Sequence, residues 1–361
     1  MAATDGDEQG AMRRAVAAGD RAIRSLGDVK PSPHRRLPLA LQAGFSIAAP
    51  ILVAIAFGRP DLGYLAATGA FAALYLASAK HIDRARFVPV IGATLLASAA
   101  LGTAAGTNTA LTAIGLVTVA VLAGVGTQLF ALGPPGPLFF VLVFGASSHI
   151  TAEVDGVRAV EPAVYLTSMA VGVAIAWAAA SAPLVKRRHR IPPTPFRELV
   201  PGPRWTAEGA GVAIRVAAVA VVGTTIGFVL LNPEHAYWTV CAGIAVVGIR
   251  APRHAVLSRG LHRVVGTFVG VGVFAMLSLI PFGHVGTALL LGLLQMAIEL
   301  IVVRHYALAL TLITPLVLTL VSSASGAAGS TIAPERLIDT VVGAGLGVLA
   351  ALIPDPKGSN E

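Results

Sequence analysis

Ionisable side chains set within apolar sequence are the residues of this chain best placed to do chemistry. Glu299 and Arg304 stand at the end of one apolar run, Arg215 lies inside another, and Arg250, Arg253, Arg259 and Arg263 follow at close spacing. A lone ion at the centre of a bilayer costs roughly 3 kcal/mol or more, so an intramembrane charge usually has a task. For arginine that task is to hold an anion. On this reading Arg304 is an anion contact, and Glu299 is its partner or a protonatable coupling group. The plainer reading is an interfacial ion pair that fixes a helix end. Arg215 is a substrate contact or a side chain that snorkels to the headgroups. Arg259 and Arg263 are one helical turn apart and share a face, so they can concentrate anions at an inner mouth. Arg250, Arg253, Arg259 and Arg263 together read as a basic loop on the cytoplasmic side, most of which enforces topology. Asp339 has Arg336 three residues before it, which favours a local ion pair. Tyr237, Trp238 and Tyr306 lie near segment ends, where they form an aromatic belt at headgroup depth or stack on an aromatic acid.

Other chemistries lack their residues. There is no nucleophile–base pair, metal-ligand spacing or ATP motif, so no catalytic residue, metal or cofactor is expected and the chain does not read as an enzyme. Gly266, Gly270 and Gly272, and Gly343, Gly345 and Gly347, have neither the preceding strand nor the Lys-Ser/Thr of a phosphate loop. Inside apolar runs their spacing suits close helix packing. Cys241 is the one cysteine, which excludes an internal disulfide and suits small-residue packing.

The elements that must position these side chains are helices in a bilayer. Of 361 residues 55% are hydrophobic and 12% charged, against roughly 25% charged in soluble domains. The mean hydropathy is +0.79. Hydrocarbon leaves only helices or a closed barrel, and runs rich in Ala, Leu, Val and Gly without period-2 polarity exclude the barrel. The class is an all-α integral membrane protein with twelve transmembrane helices. The expected spans are 39–57, 62–79, 88–106, 110–132, 138–150 and 162–185, then 208–230, 236–249, 261–280, 285–303, 305–323 and 336–353. Segments 138–150 and 236–249 are short for a membrane of roughly 30 Å, and short or Gly/Pro-interrupted segments often line binding sites. Gly133-Pro134-Pro135-Gly136-Pro137 directly precedes the first of them.

With the amino terminus in the cytoplasm, 22 of the 26 Lys and Arg fall on the inner side and three, Arg59, Arg158 and Arg336, outside, with Arg215 inside a span. That bias follows the positive-inside rule and places both termini in the cytoplasm of a multi-pass cell-membrane protein. The net charge of +8 is therefore a topological signal rather than a nucleic-acid footprint. Residues 1–36 read as a polar tail with no cleavable signal, as an amphipathic helix near Glu8–Leu26 or as solvated chain.

The chain also repeats itself. Pro60-Asp61 with Tyr64 matches Pro233-Glu234 with Tyr237, Val90-Ile91-Gly92 matches Val264-Val265-Gly266, and Glu161 matches Glu335, at spacings of 173 or 174 residues. A first six-helix repeat over 37–185, a Pro/Arg-rich linker over 186–207, a second repeat over 208–354 and a tail over 355–361 follow. Both copies share one orientation, the parallel type of transporter repeat.

The second repeat also resembles a known family. His235-Ala236-Tyr237-Trp238-Thr239-Val240, the basic run ending in Arg263-Val264-Val265-Gly266-Thr267, Glu299 to Ala309 with Thr314-Pro315, and Arg336-Leu337-Ile338-Asp339-Thr340 resemble the fusaric acid resistance protein-like family over about 208–354. The first half lacks the Glu–Arg–aromatic block and reads Gln128-Leu129-Phe130 in its place. The resemblance implies an inner-membrane protein that exports or conducts organic anions, aromatic carboxylates among them, with the bilayer and a small organic anion as partners. Homo-oligomers are compatible with it. A secondary exporter, proton-coupled or not, leads; a passive anion channel, a membrane-embedded enzyme and a non-transporting scaffold are the alternatives. The candidate contacts are Arg304, Glu299, Arg215, Arg259, Arg263, Tyr237, Trp238 and Tyr306.

Overall fold

A computed structural model describes residues 17–29, 31, 36–154, 156–189, 191–326 and 329–356. The earlier part of the expected Glu8–Leu26 helix lies outside the described residues; residues 17–24 form a helix, α1. The bundle that follows consists of α2 (Leu37–Ala56), α3 (Pro60–Ala67), α4 (His81–Ala105), α5 (Thr109–Leu129), α6 (Leu138–Ile150) and α7 (Pro162–Ser181). After a short α8 (Phe196–Leu199) come α9 (Ala207–Leu230), α10 (Ala236–Val247), α11 (Arg253–Ser278), α12 (His284–Ile301), α13 (Tyr306–Ser325) and α14 (Gly329–Ala350).

Local signals set several boundaries. The Asn108 side chain accepts from the amides of Ala110 and Leu111 and opens α5, and Thr206 accepts from Gly209 to open α9. His305 Nδ1 accepts from the Leu308 amide, which starts α13 one residue before its first residue, Tyr306. Gly326, at φ +73°, ends the same helix in the left-handed conformation that glycine adopts freely.

Each of the twelve apolar segments overlaps a helix, yet among the described residues eight helices are long and apolar enough to cross a membrane. The exceptions have distinct causes. α3 ends at Ala67 and tightens into a 3-10 helix over Thr68–Leu74. α6 has 13 residues and α10 has 12, about 20 and 18 Å of helix. α14 is long but carries Glu335, Arg336 and Asp339 in its middle. The connector before α7 holds a two-residue hairpin, Glu153–Val154 with Val157–Arg158, which an all-helical expectation omits. It turns at Gly156, φ +76°.

Burial shows which surface meets lipid. In the eight spanning helices at most 50% of the most apolar window is buried, and only 22% in α5. So much exposed apolar surface is tolerated in hydrocarbon and not in water. α10 is the opposite, with all twelve residues buried.

α4 packs on α6 and α7, and α11 on α13 and α14. α3 packs on α7, and α10 on α14. The halves meet where α2 crosses α12 and α5 crosses α9. The Pro-rich linker is tied to the bundle: Thr194 donates its amide and hydroxyl to Asp83 at 2.8 and 2.7 Å.

Candidate functional site

The second half encloses a polar cluster between α10, α11, α13 and α14. Glycines make the close approach possible. A Cβ at Gly343 would strike the Thr239 carbonyl oxygen, and one at Gly347 would meet Val246, so α14 lies directly on α10. Gly266 and Gly270 bring α11 onto α13 in the same way, whereas Gly272 and Gly345 face open space.

Trp238, with no exposed surface, forms the middle of the cluster. The Arg336 guanidinium lies 5.1 Å from its ring centroid, a cation–π arrangement, and the His235 ring stacks on the indole at 4.3 Å. Arg336 is 5% exposed, and its Nε and Nη1 have no hydrogen-bond partner. One turn further along α14, Asp339 accepts a hydrogen bond from the Thr239 hydroxyl. Arg336 thus faces the indole, and the expected Arg336–Asp339 ion pair does not close. Tyr237, 3% exposed, has a hydroxyl without a partner.

Below this level Arg263 donates from Nη1 to the Tyr306 hydroxyl at 3.1 Å. The Arg259 guanidinium lies 5.0 Å over the Tyr306 ring and donates to the Ala245 carbonyl at 2.8 Å. Arg336 and Arg263 are within electrostatic reach of one another. The cluster therefore holds three guanidinium groups against two carboxylates, Asp339 and, at its edge, Glu335. Unbalanced charge of this kind is costly in low dielectric, and a bound carboxylate would offset it.

At the opposite edge Glu335 Oε2 lies 2.6 Å from His235 Nδ1, and Asn232 donates to Glu335 Oε1 at 3.1 Å. His235 sits in the connector ahead of α10, and its burial holds its pKa below the ordinary histidine value despite Glu335. His149 packs beside it at 4.7 Å. Among the described residues no group of three or more His, Cys, Asp or Glu is arranged to hold a metal.

Five of the expected contacts, Arg259, Arg263, Tyr237, Trp238 and Tyr306, are thus brought together. Their placement corrects two expectations. Arg259 and Arg263 lie within α11 rather than in a basic loop, because the helix starts at Arg253 directly after Pro252. Tyr237 and Trp238 point into the bundle rather than to a lipid interface. The other three expected contacts lie elsewhere. Glu299 pairs with Arg36 at 3.4 Å and not with Arg304, which is exposed. Arg215 donates to the Ile353 carbonyl and to Asp355 at 2.9 and 2.7 Å, tying α9 to the chain beyond α14. Sequence reasoning placed Arg336 on the outer surface. Its signal was available in the block Arg336-Leu337-Ile338-Asp339-Thr340, where charges three apart share a helical face inside apolar sequence.

Apart from His149, the cluster residues fall inside one matched segment. Residues 218–350 match the fusaric acid resistance protein-like family. The second half of the chain is thus similar to that family, and the protein is a multi-pass helical membrane protein. It is similar to an uncharacterised membrane protein, YvaC, of Bacillus subtilis (strain 168), with 30% identity over 118 residues. That similarity covers 32% of this chain and 18% of the relative, so the chain spans under a fifth of the length of the curated relative it matches. No solved structure matches the chain.

Proposed function

We propose that the protein is a secondary transporter of organic carboxylates in the cell membrane, with both termini cytoplasmic, and that the cluster around Arg336 binds the anion. The observation that carries this reading is the Arg336 guanidinium, held inside the bundle on Trp238 with two nitrogens unpartnered. Arginine presents donors in a fork that fits a carboxylate. Trp238 and Tyr306 add aromatic faces that suit an aromatic acid. Trp238 has no exposed surface, which favours stepwise binding and release over an open channel. An inside-negative potential drives an anion outward by about 2.3 kcal/mol per charge per 100 mV, so export needs no nucleotide hydrolysis. Asp339 is the group through which a proton would join the cycle.

The same reading takes the chain as a parallel duplication of 37–185 and 208–354. The recurring helix pairing supports it: α2 with α12 corresponds to α9 with α5, and α3 with α7 to α10 with α14.

The test is uptake of radiolabelled benzoate into liposomes holding the purified protein, with and without a pH gradient. Arg336→Ala is expected to lower flux roughly 10–100-fold, the loss of one charged hydrogen-bonding partner worth about 1.5–3 kcal/mol. Wild-type flux equal to that of empty liposomes would sink the transport reading. Accumulation that requires the pH gradient and exceeds that of empty liposomes under the same gradient would establish coupling.

A further inference from the structure

A second set of buried charges lies where α2 and α4 begin and α12 ends, between the two halves. Arg84 is 2% exposed. Its Nη2 donates to the Ala73 carbonyl at 2.7 Å, its Nη1 donates to Gln42, and its Nε has no hydrogen-bond partner. Arg36 Nη2 reaches Glu299 Oε2 at 3.4 Å, and its Nη1 is also without a partner. Gln295 donates to Glu299 Oε1 at 3.5 Å, and Glu299 is within electrostatic reach of Arg84.

Two guanidinium groups and a carboxamide thus surround one carboxylate. The contacts to it are long for charge-assisted bonds, which run about 2.7–2.9 Å. Two buried arginine nitrogens stay unpartnered, although the group carrying the negative charge is beside them. The carboxylate also comes from the other half, since α12 packs against α2. Where α5 crosses α9, Gln128-Leu129 stands in place of Glu299-Leu300, and the Gln128 amide oxygen accepts from Arg250 Nε at 3.2 Å. One crossing carries a built-in negative charge and the other a neutral amide.

We propose that Glu299 is a tethered ligand that occupies a second carboxylate-binding site, built by Arg36 and Arg84 with Gln42 and Gln295. A free organic carboxylate takes that position once the charge of residue 299 is removed. This site is separate from the Arg336 cluster and does not require that cluster to bind anything.

Equilibrium dialysis of the purified full-length protein with radiolabelled benzoate tests it. E299Q is expected to bind about one benzoate per chain more than wild type. The double variant E299Q/R84A loses that additional benzoate, and E299D matches wild type. An E299Q protein with unchanged size-exclusion behaviour and unchanged stoichiometry overturns the proposal. So does an additional benzoate that persists without Arg84. Wild type binding none, with E299Q still gaining one through Arg84, would defeat the Arg336 reading and leave this one standing. Should E299Q lose its fold, purification in benzoate recovers it and uncharged benzamide does not; failure of benzoate to recover it overturns the proposal as well.

Discussion

On the proposed duplication, the two halves of the molecule share a frame and differ in what it holds. In each, an arginine of the third helix donates to a carbonyl near the end of the short second one: Arg84 to Ala73 at 2.7 Å, and Arg259 to Ala245 at 2.8 Å. A helix stopping at membrane depth leaves carbonyls unpaired, and a cation there satisfies them and the helix dipole together. What recurs is therefore structural. The differences lie one turn or more beyond. Counting back 174 residues, Arg263 corresponds to Pro89, Arg336 to Pro162 and Asp339 to Tyr165. The first half fills with proline and tyrosine the positions where the second keeps charge. Arg263, Arg336 and Asp339 are thus the charges that the second half adds to the frame for its proposed site.

Removing the shared arginines probes that division. Arg84→Ala and Arg259→Ala are each expected to destabilise the protein by about 1–3 kcal/mol, the cost of leaving a buried carbonyl unsatisfied. Thermal unfolding in detergent measures it, and a large loss in only one variant would break the parity between halves. The connectors ahead of the short helices sharpen the contrast. His235 is buried on Glu335, and burial lowers its pKa. The unfolded chain then binds more protons than the folded one just below the ordinary histidine pKa. Stability should be full above that value and fall with acidification through it. His235→Asn should flatten the fall; a wild-type melting temperature constant from pH 7.5 to 5 would contradict this. In the first half the same connector holds an exposed pair, Arg59 with Asp61 at 2.7 Å. Arg59→Ala should leave the melting temperature unchanged in the same assay, since an exposed ion pair is screened by solvent.

Much of the bundle was legible in the chain, because long apolar runs are a strong signal for helices that can cross a membrane. Length alone misjudged the spans. Segment 62–79 looks continuous, but its helix ends at Ala67 and the run continues as a 3-10 turn. The aromatic and arginine residues of the site were legible by type, and their partners were not. Glu299 lies near Arg304 in sequence but finds Arg36, 263 residues away, because α2 packs against α12. Arg215 was a plausible ligand contact until the chain end beyond α14 supplied Ile353 and Asp355. Spacing along one helix predicts which residues share a face, and it does not say which helix that face meets.

The short α10 has a consequence for how the protein is made. Twelve residues cover about 18 Å, too little to cross the roughly 30 Å of hydrocarbon alone, and none of its sides faces lipid. As the chain leaves the ribosome, α6 and α9 cover part of this segment, and α14, nearly a hundred residues later, closes over the rest. Biogenesis of the arginine cluster therefore finishes only with the last helix, and a nascent chain truncated before Gly343 would leave Trp238 and its neighbours unassembled.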